Sequence, residues 1–173
     1  DANSNENVER LANADVVMFT GGDQLRLSSI FGGTSFHHLL LEKYENEPFI
    51  IAGTSAGAAA SSNNMIYQGS SHEALLKGEV KITGGLGFIN NVIVDTHFVH
   101  RARFGRLAHA IILHQECWGI GLGEDTALMI EEGSKATCRG SGMVWILDAE
   151  NIGQTNIKTV KKGCPIYAEN LKV

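Results

Sequence analysis

Phe49-Ile50-Ile51-Ala52-Gly53-Thr54-Ser55-Ala56-Gly57-Ala58-Ala59-Ala60 is the stretch from which the fold is read. A short apolar run leads into Gly-x-Ser-x-Gly, and small residues follow at once. That order predicts a strand, a sharp turn and a helix, with Ser55 at the apex. Small neighbours allow the strained backbone that lifts a serine hydroxyl above a sheet edge. The same turn aims amide N–H groups, that of Ala56 among them, at the place where an oxyanion would form.

Outward from this elbow the chain alternates in kind. Residues 6–14 read as a helix behind Asn and Ser capping residues, 15–20 as a buried-type strand, and 25–30 and 34–45 as helices. Pro48 closes the connection to the strand before the elbow. Apolar strands alternating with helices predict an α/β fold with a mostly parallel sheet covered on both faces. Residues 65–81 read as loop or short helix, 92–95 as a strand, and 103–116 as an amphipathic helix. Further strands are expected at 119–123 and 126–130, parted by Glu124-Asp125. Beyond Lys135 the chain reads as β-rich, with strands at 143–147, 157–160 and 165–167. No repeat or linker interrupts it, so residues 1–173 are expected to form a single domain.

Composition narrows the function classes. The 173 residues carry a formal charge of −5, without the basic excess typical of proteins that bind nucleic acid or anionic membranes. No apolar run reaches membrane-spanning length. Cys117, Cys138 and Cys164 are widely spaced and odd in number, which fits free thiols rather than a metal or disulfide pattern. His37-His38 and His109 lack the companions of a metal site, so no metal is expected. The sequence opens on Asp1 rather than Met, and localisation stays open between cytoplasmic and secreted.

A serine nucleophile needs a base, and the base a group to orient it. His97 is the best-placed base. It stands in Asp95-Thr96-His97-Phe98, at the carboxyl end of a predicted strand, where open α/β sheets bind ligands. Arg101-x-Arg103-x-x-Arg106 follows; it reads either as a solvated helix start or as a guanidinium cluster for a carboxylate-bearing substrate. Gly21-Gly22-Asp23-Gln24 is a second strand-end turn. It lacks the Lys-Ser/Thr of a phosphate loop and the full dinucleotide fingerprint. N–H groups of Gly22 or Asp23 could complete an oxyanion hole, and Gln24 could meet substrate.

Phe19-Thr20-Gly21-Gly22-Asp23-Gln24, Gly53-Thr54-Ser55-Ala56-Gly57-Ala58 and Asp95-Thr96-His97-Phe98-x-x-Arg101-x-Arg103-x-x-Arg106-Leu107, in that order, resemble the cyanophycinases. These belong to the serine peptidase family that also holds the aspartyl dipeptidase called peptidase E. The resemblance implies a class I glutamine-amidotransferase-like fold, a homodimer, and no metal or organic cofactor. It implies hydrolysis of cyanophycin, a polyaspartate with arginine on each β-carboxyl, to β-aspartyl-arginine. Ser55 would be the nucleophile and His97 the base. The acid is expected between them, at Glu73, with Glu79 as fallback. Gln24, Asp95, Thr96, Arg101, Arg103 and Arg106 match substrate-pocket positions. Many relatives carry Gln where this chain has Thr96, a shorter side chain that alters reach toward substrate and leaves exact specificity open. Peptidase E-like cleavage of aspartyl dipeptides is the alternative; it shares the machinery but does not need the full arginine cluster, which favours the cyanophycinase reading. A non-catalytic amidotransferase-like binding domain is the reading from another class, and Ser55 with His97 argues against it. Members of the family have sheet strands ahead of the part matching Asp1, so a separate N-terminal segment is expected to complete the sheet.

Overall fold

The computed structural model describes residues Asp1–Val173. Helix α1 (Asn5–Ala12) starts where the Ser4 side chain accepts the Asn7 N–H. Strand β1 (Val16–Phe19) leads through the Gly21-Gly22 turn into α2 (Gln24–Phe31), capped by the Asp23 carboxylate on the N–H groups of Leu25 and Arg26. Thr34 caps α3 (Ser35–Asn46) in the same way. Each cap satisfies backbone donors that a helix start leaves without a partner. Strand β2 (Ile50–Gly53) and the short α4 (Ala56–Ala59) then form the elbow.

Strands β3 (Asn64–Gln68) and β4 (Lys81–Gly84) pair antiparallel across a bulge between Ile66 and Gln68. Residues 65–81 therefore begin and end in strands rather than forming a loop or short helix throughout. Strand β5 (Val92–Asp95), helix α5 (Phe104–Leu113) and strand β6 (Trp118–Leu122) form a β-α-β unit, with β5 and β6 parallel. Strands β7 (Thr126–Glu131) and β8 (Lys135–Gly140) make an antiparallel hairpin. Strand β9 (Val144–Asp148) returns antiparallel to β6. The expected strands at 157–160 and 165–167 are replaced by turns tied through isolated bridges, Leu76 to Pro165 and Thr155 to Ala168.

The architecture is α/β, but its sheets are small and mixed. Parallel β1-β2 and the set β5-β6-β9 share no ladder hydrogen bonds. Their cores form where sequence periodicity places apolar side chains. Leu11, Phe19, Leu40, Met65, Leu86 and Phe88 pack around β1, while Ile93, Leu107, Ala110, Ile111 and Leu147 pack between α5 and the β5-β6-β9 set. Leu107 and Ile111 are fully buried, each contributing roughly 1.5–3 kcal/mol from the area removed from water. One face of β1-β2 is not covered. Val16 and Ile50 are register partners, and Val16, Met18 and Ile50 are 51%, 51% and 61% exposed. Parallel strands normally bury both faces.

Candidate active site

Residues with chemistry collect at the carboxyl ends of the parallel strands. Gly21 lies two residues past β1, Ser55 two past β2, His97 two past β5 and Glu124 two past β6. The elbow is built by close backbone approach. The Thr54 N–H donates to Phe19 O at 3.0 Å, hooking the turn onto the end of β1. A Cβ on Gly57 would stand 2.2 Å from that same oxygen, and one on Gly53 would stand 2.5 Å from the Gly57 carbonyl carbon. Both glycines of Gly-x-Ser-x-Gly are thus demanded by space. Ser55 itself takes φ 50° and ψ −110°, a strained conformation for a residue with a side chain.

The Ser55 hydroxyl donates to His97 Nε2 at 2.8 Å. On the other side of the ring, His97 Nδ1–H donates to Glu124 Oε1 at 2.5 Å. With Nδ1 carrying its proton toward the carboxylate, Nε2 presents a lone pair to the serine, the tautomer a general base requires. The hydrogen bond from His97 holds the Glu124 carboxyl below the usual carboxylate range against a desolvation that would raise it, and the Arg101 guanidinium acts in the lowering direction too.

Glu73, expected as the acid, is not brought to His97. It is exposed in the turn after β3, and its carboxylate makes no hydrogen bond or ion pair; Glu79 likewise has none to His97. Glu124 takes that position because β5 and β6 run parallel and in register, Asp95 beside Gly121. The N–H of Phe98 donates to Leu122 O at 3.0 Å, tying the two strand-end turns together. In the sequence Glu124 stands only as a residue between two expected strands. The signal that could have found it was its own strand-end placement, matching that of His97.

The expected pocket residues separate into two groups. Asp95 is 1% exposed, and Arg106 grips it by two bonds, Nε to Oδ2 at 2.6 Å and Nη2 to Oδ1 at 2.5 Å. Arg106 Nη1 turns toward Gly69 O at 3.4 Å. Arg103 Nη1 donates to Asp95 Oδ1 at 3.2 Å and to Thr96 O at 2.7 Å. Burial lowers the pKa of Arg103, as do the neighbouring Arg106 and Arg101 guanidiniums, while Asp95 opposes them. Arg101 is different. It is exposed, and its guanidinium makes no hydrogen bond or ion pair within the chain. Thr96 is buried. The Gln24 side-chain amide donates to Ile66 O at 2.9 Å, leaving its carbonyl oxygen unengaged.

Gly21 borders the nucleophile closely: a Cβ there would lie 3.5 Å from Ser55 Cβ. The N–H groups of Gly22 and Asp23, next along this turn, take part in no hydrogen bond within the chain. A hydroxyl hydrogen-bonded to a neutral imidazole, an imidazole held by a carboxylate, and free amides nearby constitute equipment for nucleophilic attack on a carbonyl.

Comparison with known proteins identifies relatives of this chain. The model of Peptidase family S51 matches residues 2–138. A cyanophycinase from Synechococcus elongatus is 36% identical over 173 residues, 100% of this chain and 54% of its own length. One from Trichormus variabilis is 38% identical over 157 residues, covering 91% of this chain and 53% of the relative. The chain thus spans about half the length of these curated relatives. Among solved structures, a peptidase from an acI-B1 Actinobacterium superposes with a TM-score of 0.63 at 27% identity, over 86% of this chain and 59% of that one. A putative Peptidase E protein from Listeria monocytogenes EGD-e, 19% identical with a TM-score of 0.55 over 82% of this chain and 69% of that one, shares the fold.

Proposed function

Because the chain belongs to peptidase family S51, we propose that the complete protein is a cyanophycinase-type serine exopeptidase. In this reading it releases β-aspartyl-arginine from cyanophycin through an acyl-enzyme, with Ser55, His97 and Glu124 as the catalytic residues. The observation that carries it is the continuous hydrogen-bonded chain from the strained Ser55 through His97 to Glu124.

Ser55 Oγ attacks the scissile carbonyl carbon while its proton passes to His97 Nε2. The carbonyl oxygen becomes an oxyanion, met by the N–H of Ala56 and those of Gly22 or Asp23. Collapse of the tetrahedral intermediate breaks the C–N bond, and His97 returns the proton to the leaving amine. Water, deprotonated by the same imidazole, then cleaves the ester and frees Ser55. Glu124 keeps the ring oriented and stabilises its charged form. The exposed Arg101 guanidinium supplies a cation for an aspartyl carboxylate.

This reading treats residues 1–173 as one hydrolytic domain of glutamine-amidotransferase-like class, working as a homodimer without metal or organic cofactor. It also includes a further segment of the complete protein that covers the bare face of β1-β2. Support for that segment is the 51–61% exposure of Val16, Met18 and Ile50 on parallel strands.

Mass spectrometry of products from cyanophycin, with wild type and Ser55→Ala, tests the activity. The expected outcome is β-aspartyl-arginine from the wild type and none from Ser55→Ala. Undiminished cleavage by the variant would sink the mechanism. Turnover of aspartyl dipeptides without β-aspartyl-arginine would move the assignment to peptidase E-like activity.

A further inference from the structure

We propose that Asp95, Arg103 and Arg106 form a buried strut that positions His97, and that Arg106 holds no part of the substrate. The inference rests on the reading of Ser55 and His97 given above and assigns a different task to residues expected in the substrate pocket.

The backbone of His97 adopts φ 53°. A bulky residue stays in that region only where its surroundings over-determine it. Here both flanking peptide groups are fixed. Ahead of His97, the Thr96 N–H donates to Asp95 Oδ1 at 2.9 Å and the Thr96 carbonyl accepts from Arg103 Nη1 at 2.7 Å. Behind it, the Phe98 N–H is held by Leu122 O. The Thr96–His97 peptide plane, and with it the direction of the imidazole, is therefore set by Arg103, which Asp95 anchors while also holding the preceding peptide.

Asp95 can do this only if its own carboxylate cannot swing. Arg106 supplies that constraint by occupying both oxygens in a bidentate pair, with side-chain exposures of 7% and 1%. Planar two-point contact fixes orientation in a way a lysine ammonium does not. All three Arg106 nitrogens face acceptors inside the protein. To hold a substrate carboxylate, Arg106 would have to abandon Asp95 and leave a buried charge without its partner. The surface-exposed Arg101 carries no such obligation.

The test separates positioning from substrate binding with a reagent that has no carboxylate. Diisopropyl fluorophosphate forms an Oγ–P bond with Ser55 as P–F breaks; fluoride leaves and His97 takes the hydroxyl proton. Its rate of adduct formation, followed by intact mass on the complete protein, reports the Ser55–His97 geometry and the oxyanion donors without any contact to a substrate carboxylate. Arg106→Lys and Arg103→Met should each slow it by on the order of 10- to 100-fold, because small displacements of a catalytic group cost that much. On β-aspartyl-arginine polymer, kcat should fall in parallel while KM stays within about 2-fold. Wild-type phosphorylation rates with raised KM in both variants would overturn the strut. Arg103→Met, at a site only partly buried, decides the matter alone where Arg106→Lys does not fold. Undiminished cleavage of cyanophycin by Ser55→Ala, in contrast, would remove Ser55 as nucleophile and take this inference with it.

Discussion

Glu124 is the residue whose role depends most on its surroundings. Its carboxylate is 56% exposed, yet its hydrogen bond to His97 Nδ1–H fixes which ring nitrogen faces Ser55. Glu124→Gln keeps the shape and an acceptor oxygen but loses the charge that stabilises the imidazolium. We expect kcat to fall on the order of 10²-fold or more, with KM little changed, and Glu73→Gln to match the wild type in the same assay. The pH dependence has a definite sign. Glu124 titrates below the ordinary carboxylate range, through the hydrogen bond from His97 first. Its charge is therefore present above that range and lost as pH falls through the depressed value. The wild-type advantage over Glu124→Gln should therefore be present at neutral pH, where the carboxylate is charged, and a variant as fast as the wild type there would contradict the assigned pairing. Ser55 and His97 were legible in sequence because local strand-end motifs carry them. Glu124 was not, since its partner stands 27 positions away and only the parallel register of β5 and β6 brings the two together. Arg103 and Arg106 were legible as a cluster, but which side of the chain they faced was a matter of tertiary burial.

At the scale of elements, α5 carries a second histidine with a different fate. His109 is 0% exposed; Nδ1–H donates to Ala74 O at 2.6 Å, and Nε2 has no partner. Burial lowers its pKa below the ordinary 6.5, against the Ala74 bond, which favours the charged form. The folded protein therefore keeps a neutral ring at pH values where the unfolded chain has bound a proton. Above the unfolded value both states are neutral and nothing changes. As pH falls below about 6.5, stability falls toward the depressed folded value, with a slope of up to ~1.4 kcal/mol per pH unit. Urea unfolding from pH 7.5 to 5 should show this loss, and His109→Gln should flatten that part of the curve. An unchanged slope in the variant would assign the loss to other groups. The segment His109 supports, between β3 and β4, is also where the sequence reading went astray. Helices α1, α2 and α3 announced themselves through Ser4, Asp23 and Thr34 caps. Strands β3 and β4 did not, because a bulge breaks their alternation and the 12 residues from 69 to 80 separate them. Residues 157–160 have strand-like composition but meet no neighbouring ladder.

For the whole molecule, the expected mostly parallel sheet is present as two parallel pairs, β1-β2 and β5-β6, without ladder bonds between them. Alternating βα patterning made the class of fold legible. The extent of the sheet was not legible, since strand pairing depends on which other segments are available to pair. The bare face bearing Val16, Met18 and Ile50 gives this a measurable consequence. If another segment of the complete protein covers it, Met18→Lys places an ammonium in an apolar contact without a counter-charge. Such burial costs about 1–3 kcal/mol even after local relaxation, seen as a lower urea midpoint. On a face left open to water, the same substitution should shift stability by no more than about 0.5 kcal/mol. The lysine would then improve solubility, because charge on an open strand discourages edge and face association. The expected result is the larger loss, with phosphorylation of Ser55 unaffected in the folded fraction, since Met18 points away from the core that carries the elbow. A soluble, monomeric protein indifferent to Met18→Lys would mean that β1 and β2 keep one face in water, and that the elbow is held up from the buried side alone by Phe19 and Gly57.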